Sequence, residues 1–137
     1  KLINLKIQSA IKTGLKVIFC IGETLNEKRN NKTNQVLSRQ IKNGLKSIKN
    51  KSKIIIAYEP VWSIGTGLIP KIDDLIKSVS FIKSKFSKKT PKILYGGSVN
   101  SSNVVQLKKI SIINGFLIGG ASQNPKNFID IIKKTYI

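Results

Sequence analysis

Glu59 stands between an apolar run, Lys53–Tyr58 (KIIIAY), and Pro60. A carboxylate at the end of a buried strand, on a backbone stiffened by proline, is well placed to take a proton. Apolar neighbours such as Ile64 and Leu117 would raise its pKa and suit it to general-base work. The same residue also reads as a solvated loop acid or an ion-pair partner, and its type alone does not decide. The loop that follows, Pro60–Pro70, carries apolar Val61, Trp62 and Ile64 together with Gly65 and Gly67. That mixture suits a lid whose ends absorb dihedral change, or a loop packed permanently in place. Two Gly-Gly pairs, Gly96-Gly97 (followed by Ser98) and Gly119-Gly120, complete the set. Glycine lets backbone N–H groups approach an anion closely. One such pair is an ordinary turn; two in succession point to a phosphate site. Cys20, inside KVIFCI, reads as a small packed core residue before it reads as a nucleophile. The chain has no histidine, which excludes a Ser-His or Cys-His pair within it. Its six acids show no metal-ligand spacing.

These groups need a scaffold, and the hydrophobic pattern supplies one. Residues 2–13 carry a helical stripe that Gly14 can close. Lys16–Ile21 reads as a buried strand ending at Gly22. Leu37, Ile41, Leu45 and Ile48 mark the next helix, and Lys53–Tyr58 the second strand. Ile72, Leu75, Ile76, Val79, Ile82 and Phe86 share one helical face. Lys92–Tyr95 is the third strand, Asn100–Ile110 a short helix, Gly115–Ile118 the fourth strand. Pro125 suits the first turn of a last helix. Strand and helix alternate four times and the strands are apolar on both faces, so parallel α/β is the expected class. Four βα units make half of an eight-stranded barrel, which takes about 250 residues in full. In such folds chemistry sits beyond the C-terminal strand ends, where every motif above falls.

Composition limits the partners. The chain has 137 residues and a formal charge of +19, from 25 basic and 6 acidic side chains. Only Arg29 and Arg39 are arginines, and the lysines are spread over nearly every expected helix. A nucleic-acid reader would gather arginine and aromatics on one face. The lysines therefore read as a solvated surface and part of an Ile/Lys/Asn bias, and no nucleic-acid partner is expected. The opening KLINLKIQSAIKTGLK lacks the apolar run and cleavage site of a signal peptide. No uncharged run nears the ~20 residues of a membrane helix, so no membrane partner is expected. With one cysteine no intramolecular disulfide can form, which suits a cytoplasmic protein.

In order, CIGET (20–24), YEPVWSIGTG (58–67), YGGSVN (95–100) and IGGAS (118–122) closely resemble the triosephosphate isomerase family. The family writes the second as Y-E-P-V-W-A-I-G-T-G, and the likeness runs from about residue 5 to the chain's end. It implies that residues 1–137 are the C-terminal half of a (β/α)8 barrel, strands five to eight. It also implies Glu59 as the base moving a proton between C1 and C2 of dihydroxyacetone phosphate and glyceraldehyde 3-phosphate, in glycolysis and gluconeogenesis. Gly65 would offer its N–H to the substrate phosphate, and Ser98, Gly119 and Gly120 would complete the grip. Tyr95 would help hold the closed lid, and Cys20 would be mainly structural. A glutamate base under a closing loop is this family's own well-known arrangement. No cofactor or metal is implied, and a homodimer is expected of the full-length enzyme.

The sequence departs from the pattern in places. The family's lysine and asparagine after the first strand, and its histidine after the fourth, would precede residue 1, as would the dimerisation loop. Ser63 replaces the usual lid alanine, and Leu68-Ile69-Pro70 replaces the commoner Lys-Thr-Ala at the lid's second hinge. The expectation is a partial record of a full-length isomerase, inactive by itself; the alternative is a non-catalytic phosphate-binding half-barrel. Either would leave two sheet edges and part of an apolar interior open.

Overall fold

Each of the four apolar runs forms a strand of one sheet. A computed structural model describes residues 1–87 and 90–136. In chain order the elements are α1 (Leu2–Lys12), β1 (Val17–Ile21), α2 (Leu25–Arg29), α3 (Thr33–Gly44), β2 (Ile54–Tyr58), α4 (Ile72–Ser84), β3 (Lys92–Gly96), α5 (Val104–Leu107), β4 (Gly115–Leu117) and α6 (Pro125–Tyr136). Short 3-10 turns occupy Val61–Ser63 and Gly120–Gln123. The sheet runs β1-β2-β3-β4, all parallel, which is the expected α/β series of βα units in an open sheet.

The register separates two faces. Phe19, Ile56 and Ile93 lie level with one another, as do Ile21, Tyr58 and Tyr95, and all six are in the core. Against them pack Leu37 and Ile41 of α3, Leu75, Val79 and Ile82 of α4, Val104 and Leu107 of α5, and Ile131 of α6. Burying one such aliphatic side chain is worth about 1.5–3 kcal/mol, so this face supplies most of the cohesion. On the opposite face Ile18 is 47% exposed and Cys20 is exposed, while Ile55 and Leu94 are half-buried. The expectation of a packed Cys20 is corrected here. β1 is an edge strand, and no layer of the described chain covers that side of it.

Several boundaries differ from the sequence pattern. α1 closes as expected, with Gly14 at φ 91 and the Leu15 N–H bonded to Ala10 O at 3.0 Å. Its stripe is hardly used, since only Ile7 is buried while Leu2, Ile3 and Leu5 are exposed. α3 stops at Gly44, short of Leu45 and Ile48, because Gly44 packs against the Phe19 ring and Ser47 turns the chain at φ 63. Leu45 and Ile48 still reach the core from that turn. α4 ends at Ser84, leaving Phe86 half-buried beyond it. The helix expected over Asn100–Ile110 shrinks to one turn, α5. Asn100 Oδ1 instead takes the N–H groups of Ser102 (2.9 Å) and Asn103 (3.1 Å), a local turn that competes with helix. Among the described residues no helix is long and apolar enough to cross a membrane.

Candidate active site

The C-terminal ends of β1, β2 and β3 meet around Glu59. Its N–H continues the ladder to Ile21 O at 2.8 Å. Gly22 is required beside it, since a Cβ there would run into the Glu59 carbonyl. Gln40 of α3 fixes Gly22 from the other side, its amide accepting from Gly22 N and donating to Gly22 O, each at 2.9 Å. The Glu59 side chain is half-buried and lies against Gly96, where a Cβ would fall 2.6 Å from both Cγ and Oε1. The Cys20 thiol neighbours this carboxylate. Its pKa is pushed up to about 12, first by partial burial of the thiol, then by the Glu59 carboxylate. Although Cys20 is exposed as a residue, a shift in this direction favours the neutral thiol and works against a nucleophilic role.

The loop after Glu59 is buried at both ends, Pro60 and Pro70, and exposed from Ile64 to Leu68. Val61 N donates to Glu23 O at 2.9 Å, and Ser63 N to Pro60 O at 2.8 Å. Glu23 is a residue that sequence reasoning passed over. It is 1% exposed, and its carboxylate accepts from Trp62 Nε1 (3.1 Å) and Tyr58 OH (3.2 Å). The Tyr58 hydroxyl also lies 3.3 Å from Ser78 Oγ; burial, then the Glu23 charge, drives its pKa far up. Lys28 sits over the Trp62 ring, 4.6 Å from its centroid, and pairs with Asp74 at 3.3 Å. Trp62 is thus anchored to β1, β2 and α4 through one buried acid. The signal was an acid two residues past an apolar strand, but its burial depends on partners 35 and 39 residues away.

Ser98 joins the far side of the loop. Its hydroxyl donates to Ser63 O at 2.6 Å and accepts from Gly67 N at 2.9 Å. Asn103 holds Ser98 in turn, donating Nδ2 to its carbonyl at 2.7 Å. Gly65, at φ 69, and Gly67, at φ 80, have open space where a side chain would stand. The structure therefore brings Glu59, the loop and Ser98 together. No hydrogen bond among the described residues joins Gly119 or Gly120 to this group. Both are exposed, and the hydrogen bonds of Gly119 are local, its carbonyl accepting from Ser122 N (2.9 Å) and Oγ (2.7 Å). Among the described residues, the backbone N–H groups of Gly65, Ser98, Gly119 and Gly120 donate to no protein acceptor.

A lysine-lined recess lies elsewhere. It encloses about 660 Å³ at the N-terminal strand ends, among Lys16, Lys49, Lys51, Lys53, Lys85 and Lys92. Among the described residues no group of three or more His, Cys, Asp or Glu could hold a metal ion.

Comparison with known proteins fits this geometry. The family model described as Triosephosphate isomerase matches residues 1–135. A triosephosphate isomerase of Thermodesulfovibrio yellowstonii is 44% identical over 138 residues, covering 96% of this chain and 56% of the relative. The triosephosphate isomerase of Saccharomyces cerevisiae is 45% identical over 139 residues, again 96% and 56%. That of Mycoplasma mobile is 44% identical, covering 97% of this chain and 54% of its own length. The chain spans about half the length of the curated relatives it matches.

Proposed function

Since the chain belongs to the triosephosphate isomerase family, we propose that Glu59 is the base that interconverts dihydroxyacetone phosphate and D-glyceraldehyde 3-phosphate. The observation that carries this reading is the placement of Glu59. Its carboxylate is half-buried at a strand end, beside Cys20 and set against Gly96, below a loop tied to Ser98. A carboxylate so placed removes the C1 proton and returns it at C2, and a positioned base is worth roughly 10²–10⁴-fold in rate. The Gly65, Ser98, Gly119 and Gly120 N–H groups hold the phosphate, each a short dipole aimed at an anion. No metal or cofactor takes part. The activity belongs to glycolysis and gluconeogenesis in the cytoplasm, in a homodimer.

These residues supply the base and the grip but no histidine. The group that polarises the substrate carbonyl comes from outside residues 1–137, so the 137-residue chain alone turns over triose phosphate negligibly. Two measurements test this. A coupled assay on the purified chain should give no turnover above background; a rate near that of an ordinary isomerase would overturn it. Joined to the N-terminal part of the yeast relative that it does not cover, the chain should turn over, and Glu59→Gln should lower kcat about 10²–10⁴-fold. An unchanged kcat in that variant would remove Glu59 from the role. A second reading, phosphate binding without chemistry, is favoured by the missing histidine. Dihydroxyacetone phosphate binding to the joined protein with no turnover would establish it.

A further inference from the structure

We infer that Ser63 is a positioning residue for the loop of residues 60–70: its buried hydroxyl fastens the loop's two ends to each other and to β3. This rests on reading that loop as the lid of the proposed site. Ser63 is 0% exposed, with every polar atom of its side chain engaged. Its Oγ lies 2.6 Å from Leu68 O, which can only accept, so the Ser63 proton is committed there. The Tyr95 hydroxyl, 3.1 Å away, is then the donor to Ser63 Oγ. Burial raises the pKa of that phenol and keeps it a donor. The Ser63 carbonyl accepts from Ser98 Oγ (2.6 Å) and from Thr66 Oγ1 (3.2 Å). One residue at the loop's first hinge thus reaches its second hinge, its tip and the following strand.

Two further features agree. Pro70 has no N–H, so the second hinge offers no donor at that position, and the Leu68 carbonyl reached through Ser63 makes the link. Gly97 adopts φ 149, and a Cβ there would lie 2.7 Å from Tyr95 OH and 2.8 Å from Ser63 Oγ. The glycine leaves room for this hydroxyl pair. Alanine at position 63 would remove an acceptor from a buried phenol and a donor from the second hinge at once.

The test uses the 137-residue chain and reads amide hydrogen exchange residue by residue. Ser63→Ala should speed exchange at Gly67 and Leu68 about tenfold, the order of one or two lost hydrogen bonds, with α4 and β2 unchanged. Tyr95→Phe should give a smaller local increase, because the Ser63–Leu68 bond survives. Ser63→Thr, which keeps the hydroxyl, should restore slow exchange. Unchanged exchange at Gly67 and Leu68 in Ser63→Ala, or acceleration spread evenly over the whole chain, would overturn the role. If Ser63→Ala does not fold, unchanged local exchange in Tyr95→Phe overturns it equally. No turnover is read here, so a failure of Glu59 as base leaves the Ser63 result standing, and the reverse holds too.

Discussion

Gly96-Gly97 and Gly119-Gly120 look alike in the sequence, each closing a strand and leading towards a helix, yet the fold treats them oppositely. Gly96 is buried against the Glu59 side chain, and Gly97 at φ 149 against Tyr95 OH and Ser63 Oγ. Around Gly119 and Gly120 nothing described lies within 4 Å of an added Cβ. The first pair is glycine because the protein packs there. The second pair has no such need among the described neighbours, and under the proposed function its open approach serves the substrate phosphate. Identical dipeptides at equivalent positions thus answer to different neighbours.

Substitution at each pair would break or sharpen this contrast. The largest effect belongs to Gly97→Ala, which meets both an unfavourable backbone conformation and two hydroxyls; it should cost about 2–4 kcal/mol in urea unfolding. Gly96→Ala is next. The side chain it displaces is the flexible end of Glu59, so stability should fall by about 1–2 kcal/mol, while kcat of the joined protein drops more steeply than KM rises. Gly119→Ala should leave stability within about 0.5 kcal/mol and weaken dihydroxyacetone phosphate binding measured by titration. A loss of stability there as large as at Gly97 would erase the contrast. The gentlest probe is acid. Glu27, half-buried, has its pKa held below the ordinary 4.5 by hydrogen bonds from the Thr24 backbone and side chain and by Arg39. The capping box it forms with Thr24 is therefore present above about pH 4.5 and lost as pH falls through the lowered value. Chemical shifts of residues 24–29 should move in that window before those of Gly119–Asn124, a segment without a carboxylate.

Much of this was legible in the chain. The four strands and the left-handed Gly14 followed from apolar runs and from one residue's steric freedom. α2 was missed because it is five residues long and set by its cap, with Thr24 N bonded to Glu27 Oε2 at 2.9 Å, and no apolar period announces it. α3 and α5 ran shorter than their stripes because Gly44 and Asn100 answer to local contacts that a periodic pattern does not record. Glu59 and Ser98 drew notice from their places after strands, and the family resemblance gave them their expected roles. Glu23 drew no notice and Ser63 only as a replaced alanine, since the Tyr58, Trp62 and Tyr95 groups that engage them arrive from 30 or more residues away. The open face of β1, with Cys20 on it, depends on which layers cover the sheet, and strand patterning alone cannot report that.

The lysine-lined recess has a kinetic side. Five of the six acids, Glu23, Glu27, Glu59, Asp73 and Asp74, lie just beyond β1 and β2 or in the helices that begin there. The recess at the strand starts holds six lysines, and none of them belongs to an ion pair among the described residues. This recess thus gathers unpaired positive charge behind the proposed phosphate grip. In dilute buffer this cluster should draw a diffusing phosphate ester towards the rear. Near physiological ionic strength, where charges are screened beyond about 8 Å, that pull shortens. Added salt would then slow capture at the front less than the overall charge of +19 suggests.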